Sequence, residues 1–139
     1  MITVISGTNR PDSNTRKITD IVHQILIANG TGVQLLDLAD LPEELFANSS
    51  YGSKPDSFAE FQDAVINTDG ILTVVPEYNG SFPGVLKYFL DMLRFPDSLY
   101  EKPAAFIGIS AGPWGAGPHQ QPDTGHEQQP QPNRILDTW

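Results

Sequence analysis

The chain contains no cysteine. Disulfides, thiolate metal sites and a cysteine nucleophile are therefore excluded. Basic residues are scarce: 8 Lys and Arg stand against 17 Asp and Glu, a formal net charge of -9. That balance argues against nucleic acid and anionic membrane as partners. It leaves room for a small anionic ligand, because local donors outweigh a global field at contact distance. No run approaches the ~20 apolar residues of a membrane span. Met1 opens directly onto Ile2-Thr3-Val4-Ile5, too short for the apolar core of a secretory leader, so a cytoplasmic protein is expected. Large aliphatic residues are missing from 118 up to Ile135, where five Gln and four Pro occur instead. Such a segment buries too little apolar surface to offset its ordering entropy. The expected division is thus a globular domain over 1–117 and an irregular or disordered tail over 118–139.

What is present reads as an α/β domain with a parallel sheet. Ile2 to Ile5 is a short β-branched strand of the kind buried on both faces. A polar loop follows, and then a helix in which Ile18, Ile21, Val22, Ile25 and Leu26 share one face. Ser13 or Asn14 caps its start, and Asn29-Gly30 ends it. A second strand runs from Val33 to Leu36 and ends at Asp37. Strand, helix and strand in this order make a βαβ unit. The connection 38–54 is long, and Leu45, Phe46 and Tyr51 are expected to tuck it against the body. Pro55 opens a second helix with Phe58, Phe61 and Val65 on its inner face. Ile71 to Val75 is a third strand. Leu86, Phe89, Leu90 and Leu93 give the following helix its stripe, with Ser81 as a candidate cap and Pro83 near its start. Ala104 to Ile109 is a fourth strand.

Three strand ends carry small polar turns: after Ile5, after Val75 and after Ile109. In a parallel sheet all three lie on one edge, the usual place for a ligand. In the first, Gly7 permits a tight turn, Thr8, Ser13 and Thr15 offer hydroxyls, Asn14 an amide and Arg10 a fork of donors. Free N–H groups of the next helix add positive partial charge. These are the parts of a phosphate cradle, and equally those of an ordinary capped βα turn. The loop is neither a Walker A motif nor G-x-G-x-x-G, which argues against a nucleoside triphosphatase and a standard dinucleotide fold. In the second turn, Pro76, Glu77, Tyr78, Asn79 and Gly80 leave the strand, and Tyr78 is placed where a flat ligand stacks. The third is Ser110-Ala111-Gly112. Lys87 and Asp91 read as a surface pair of small energetic weight. His119 and His126 read as solvated, so no metal is expected.

Residues 7–15, Gly-Thr-Asn-Arg-Pro-Asp-Ser-Asn-Thr, resemble the phosphate loop of the NADPH-dependent FMN reductase family. Pro76 to Ser81, with Pro83-Gly84 and Leu86-Lys87, resembles its flavin-ring loop, and Ser110-Ala111-Gly112 with Gly115 its third loop. The resemblance covers about residues 2–117. It implies a flavodoxin-like three-layer fold with strand order 2-1-3-4-5, noncovalent FMN, and NAD(P)H as reductant. It also implies homodimers or homotetramers packed partly through the helix after the ring loop. Thr8, Arg10, Ser13, Asn14 and Thr15 would hold the FMN phosphate. Pro76, Glu77, Tyr78 and Asn79 would hold the ring, largely through backbone groups, and Ser110 and Gly112 would border its other edge. The implied reaction is hydride transfer from NAD(P)H to FMN and electron transfer to a small-molecule acceptor such as a flavin or quinone. No catalytic side chain is required, since the cofactor carries the chemistry. Two other readings are a non-enzymatic FMN carrier and an inactive remnant that pairs with full-length subunits.

Where the family continues with a helix, a fifth strand and a last helix, this chain has Pro118-His119-Gln120-Gln121-Pro122. A one-base shift of frame permits a family-like helix from 118 to 126. Residues from about Gly117 onward are therefore expected to be a frame-shifted or alternatively spliced product, the alternative being a genuine disordered tail. In either case the fifth strand and last helices are expected to be missing, which leaves Ala104 to Ile109 as an apolar edge.

Overall fold

A computed structural model describes residues 1–111 of the chain. The tail, its boundary at 117, Gly112, the two tail histidines and the expected loss of later elements all lie outside the described residues.

Four parallel strands form one sheet in the order β2-β1-β3-β4, as expected. They are β1 (Ile2–Ser6), β2 (Val33–Asp37), β3 (Gly70–Pro76) and β4 (Ala104–Ile109). The helices are α1 (Asn14–Ala28), α2 (Ala59–Ile66) and α3 (Gly84–Met92). Ile2 pairs with Val33 on one side and Gly70 on the other, and the register holds to Ser6, which faces Asp37 and Val74. β1 and β3 are thus the inner strands, and Val4 and Ile5 are buried on the two faces of β1. This register aligns the carboxyl ends of β1, β2 and β3. Pro76 faces Ile109 at the end of β4, so all four strands finish at one edge.

The two sheet faces are covered unequally. Ile5, Leu36 and Ile71 join Phe58, Phe61, Val65, Leu86, Phe89 and Met92 in one apolar core. Each of these side chains, once fully buried, contributes about 1.5–3 kcal/mol. Thr3 is buried on the same face without cost, because its hydroxyl donates to the Ala64 carbonyl at 2.8 Å, and Gln34 donates to that carbonyl at 3.0 Å.

α1 covers the other face, and its inner surface differs from the expected stripe. Ile21 and Ile25 are exposed, whereas Thr15 and Thr19 are buried. The helix is rotated toward its threonines because the Thr19 hydroxyl is satisfied internally, donating to the Thr15 carbonyl at 2.7 Å. A short hydroxyl-bearing side chain then packs closely against the strands with no unpaired donor. Ile21, Ile25 and Ala28 instead line a shallow apolar groove on the outer flank of α1, away from the strand ends.

The 38–54 connection contains three 3-10 turns. Leu45 is fully buried, but Phe46 and Tyr51 are exposed, a correction to the expected tucking of all three. Both aromatics lie on Tyr88 of α3, Phe46 stacked at 5.1 Å and Tyr51 edge-on at 6.1 Å. Tyr88 donates to the Leu45 carbonyl at 2.7 Å, which holds the rings outside the core. Lys87 and Asp91 form the expected exposed pair. Among the described residues β4 pairs only with β3, and it presents Phe106 at 64% exposure. No helix among the described residues is long and apolar enough to cross a membrane.

Candidate functional site

The site is assembled where β1, β3 and β4 end. Gly7 follows β1 and donates its N–H to the Val74 carbonyl at 2.9 Å. A Cβ at position 7 would lie 2.8 Å from that same oxygen, so only glycine lets the loop leave the sheet this tightly. The chain then rises through Asn9 and Arg10, both exposed. It turns at Asp12, whose φ of 52° is left-handed, a region that Asp tolerates better than most residues. Ser13 caps α1: its extended backbone starts the helix and its hydroxyl accepts from the Arg16 N–H at 3.1 Å. Of the two candidate caps Ser13 is the one used, and Asn14 is the first helical residue.

The N–H groups of Asn14 and Thr15 precede the first intrahelical bond and point toward the loop, as the geometry of a helix start requires. Arg10 makes no ion pair among the described residues, whereas Arg16 makes two. Arg16 donates to Asp20 at 2.9 Å and to Asp37 at 2.7 Å. These hydrogen bonds, Asp37 first, raise its pKa further above the ordinary arginine range. Sequence reasoning missed this pair; the signal available was the Arg16/Asp20 spacing of one helical turn and the acid closing β2. Among the described residues one buried hydroxyl, that of Ser6 at the end of β1, has no hydrogen-bond partner. The loop thus offers an uncommitted guanidinium, free helix N–H groups and hydroxyls within an acidic molecule. That donor set suits a phosphate.

The second loop is a two-residue hairpin turn. Tyr78 and Ser81 bond reciprocally, N to O at 2.7 Å and 3.2 Å. Asn79 and Gly80 take φ values of 54° and 82° between them. Two left-handed residues in sequence define a type I′ turn, for which Asn-Gly is the preferred pair. Ser81 is therefore part of the hairpin and not the cap of α3, whose start is instead set by Pro83. The Glu77 carboxylate accepts from the Gly80 N–H and braces the turn. The Glu77 N–H is itself donated to the Ile109 carbonyl at 2.7 Å. Of the four N–H groups from Glu77 to Gly80, three are thus spent inside the fold, leaving that of Asn79 for a ligand. Pro76 closes β3 and is buried; Tyr78 and Asn79 are exposed.

The loops are joined to one another. The Thr8 hydroxyl and the Tyr78 phenol lie 3.1 Å apart, linking the first loop to the second across 70 residues of sequence. The Glu77–Ile109 bond links the second to the end of β4, beside the half-buried Ser110. The structure therefore brings together Thr8, Arg10, Ser13, Asn14 and Thr15 on one side and Pro76, Glu77, Tyr78, Asn79 and Ser110 on the other. Thr8, Ser13 and Thr15 are buried, and the Thr8 and Ser13 hydroxyls accept from the Arg10 and Arg16 N–H groups, so those two serve the loop's own geometry as well as any ligand.

Comparison with known proteins points to one family. The family model for NADPH-dependent FMN reductase matches residues 1–122. A 2-hydroxy-1,4-benzoquinone reductase from a Burkholderia species is 33% identical over 117 residues, covering 82% of this chain and 62% of the relative. A quinone reductase of Pseudomonas putida is 29% identical over 120 residues, with the same two coverages. Among solved structures, the flavoenzyme NAD(P)H:(acceptor) oxidoreductase FerB from Paracoccus denitrificans superposes with a TM-score of 0.67 at 30% identity, over 83% of this chain and 63% of that one. The chain therefore spans somewhat less than two thirds of the length of these relatives.

Proposed function

Since this chain belongs to the NADPH-dependent FMN reductase family, we propose that it binds FMN noncovalently at the three strand ends and acts as an NAD(P)H oxidoreductase with a quinone or flavin as acceptor. The observation that carries this reading is the pairing of two unlike loops on one sheet edge. One is rich in free donors around Arg10; the other is a rigid hairpin presenting Tyr78 and the Asn79 N–H. A ligand with an anionic end and a flat, hydrogen-bonding end fits both.

In this reading Arg10 and the N–H groups of Asn14 and Thr15 bind the phosphate, with Thr8, Ser13 and Thr15 shaping the cradle. Charge-assisted bonds of this kind are roughly twice as strong as neutral ones. Pro76, Glu77 and Asn79 position the ring, and Tyr78 shields one part of it from water. Ser110 borders the opposite edge. When bound, FMN supplies the hydride-accepting centre between nicotinamide and acceptor. The protein's share is orientation and exclusion of water, which is why no acid–base dyad is needed. The quinone reductase and FMN reductase relatives favour a small-molecule acceptor. We further place the protein in the cytoplasm, as a homodimer or homotetramer packed through α3, whose outer aromatic cluster of Phe46, Tyr51 and Tyr88 supports that face.

Titration of the purified chain with FMN, followed by quenching of flavin fluorescence, tests the reading. Saturable binding with NAD(P)H oxidation dependent on a quinone is the expected result. Flavin binding without NAD(P)H oxidation favours the carrier reading. A folded chain that binds no flavin overturns both.

A further inference from the structure

Thr8 and Tyr78 hold two hydroxyl protons between them, and the bond that joins them uses one. A threonine hydroxyl has one donor and two acceptor positions, and a phenol has one donor. Thr8 Oγ1 already accepts from the Arg10 N–H at 3.3 Å. If Tyr78 donates to Thr8, both acceptor positions of Thr8 are filled and its own proton is left over. If Thr8 donates, the phenol proton is left over. Neither hydroxyl has another acceptor among the described residues. Thr8 is 1% exposed, so water does not readily take its proton. In the first arrangement the unspent donor lies at the loop whose other free groups are Arg10 and the start of α1; in the second it lies on Tyr78, which is 37% exposed and open to water.

We propose that Thr8 and Tyr78 form a two-hydroxyl relay through which an anion in the first loop fixes the position of the hairpin 77–81. This rests on the FMN reading for the identity of the anion, a phosphate monoester, but the coupling itself belongs to the ligand-free chain. An anion accepting from Thr8 commits Tyr78 to donating to Thr8. Hydrogen bonds arranged head to tail polarise and strengthen one another. Occupancy of the phosphate end therefore tightens the grip on Tyr78, and with it the turn that carries the Asn79 N–H. Tyr78 is in this sense a positioning residue, and Thr8 connects the two halves of the site.

The first test needs no flavin. Amide exchange over 77–81 is measured in the ligand-free chain, in Thr8→Val and in Thr8→Ser. One neutral hydrogen bond corresponds to about a fivefold change in equilibrium. Exchange is expected to accelerate about fivefold in Thr8→Val and to stay at the parent rate in Thr8→Ser. Unchanged exchange in Thr8→Val overturns the coupling. The second test compares FMN with riboflavin, which lacks the phosphate. Tyr78→Phe is expected to weaken FMN about fivefold more than riboflavin, whereas equal weakening overturns the relay and leaves simple stacking. If the parent chain binds neither flavin, the proposed function fails and inorganic phosphate becomes the probe. Protection of 77–81 by phosphate in the parent but not in Thr8→Val then supports the relay, and equal protection in both overturns it.

Discussion

Arg16, in the first turn of α1, donates to Asp37 at the end of β2 at 2.7 Å, and Asp37 is only 8% exposed. The second carboxylate oxygen of Asp37 accepts from the Ala39 N–H at 3.1 Å. One acid thus ties the helix start to the neighbouring strand end and caps the turn that follows. Arg16 is close to the candidate phosphate loop in sequence but is occupied by structure. Arg10 makes no such pair.

The two arginines are therefore expected to respond differently to removal. Arg10→Ala should leave the melting temperature nearly unchanged and weaken FMN by about 10- to 100-fold, as loss of a charge-assisted bond of about 1.5–3 kcal/mol requires. Arg16→Ala should cost about 1 kcal/mol of stability, a figure kept small because its guanidinium is 41% exposed and screened by solvent. Its effect on FMN affinity should be the smaller of the two. Denaturant melts and flavin titrations of both variants check this.

Gly80 has open space where a Cβ would stand, yet its φ is 82°. The cost of Gly80→Ala is therefore conformational, about 1–2 kcal/mol, and is confined to the hairpin. The expected outcome is weaker binding of both FMN and riboflavin, with the chain still folded by circular dichroism.

Phe89 of α3 is fully buried and meets Phe58 edge-on at 6.1 Å. Phe89→Ala should destabilise the fold by about 3–5 kcal/mol. Against a domain stability of about 5–15 kcal/mol, a large drop in the urea midpoint is expected.

Phe106 stands 64% exposed on β4, a strand with no charged residue from Ala104 to Ile109. Phe106→Lys should change stability by no more than about 0.5 kcal/mol. It should also slow aggregation, because β4 is an edge strand among the described residues and a lysine there opposes pairing with another edge. Light scattering at raised temperature measures the difference.

The parallel sheet, the placing of the three turns on one edge and the pairing of a donor-rich loop with a proline-led loop were legible in the residues, whereas the strand order came from the family resemblance. Strands of four to seven β-branched and aliphatic residues between glycine and proline turns leave few alternatives, and a βαβ crossover has one hand. A turn at Glu77 to Gly80 was legible, but its form as a hairpin was not read, although Asn-Gly is the standard type I′ pair, because Ser81 reads equally well as a helix cap. Local sequence does not distinguish the two, because both use a small polar residue before a helix.

Contacts between residues far apart in the chain were a matter for the tertiary structure. Periodicity places Ile18, Ile21 and Ile25 on one side of α1, yet the fold leaves Ile21 and Ile25 exposed, half-buries Ile18 and turns Thr15 and Thr19 inward. A helix chooses its buried face by fit to the sheet beneath it, and an internally bonded threonine can be buried there with no unpaired donor. The Arg16–Asp37 pair and the Thr8–Tyr78 contact likewise depend on the sheet register, which brings residues 21 and 70 positions apart within hydrogen-bond distance. Composition and local pattern determined which segments are strands, helices and turns, because those preferences act within a few residues. Which polar groups are spent on the fold and which remain for a ligand was decided only when the strand ends were brought together.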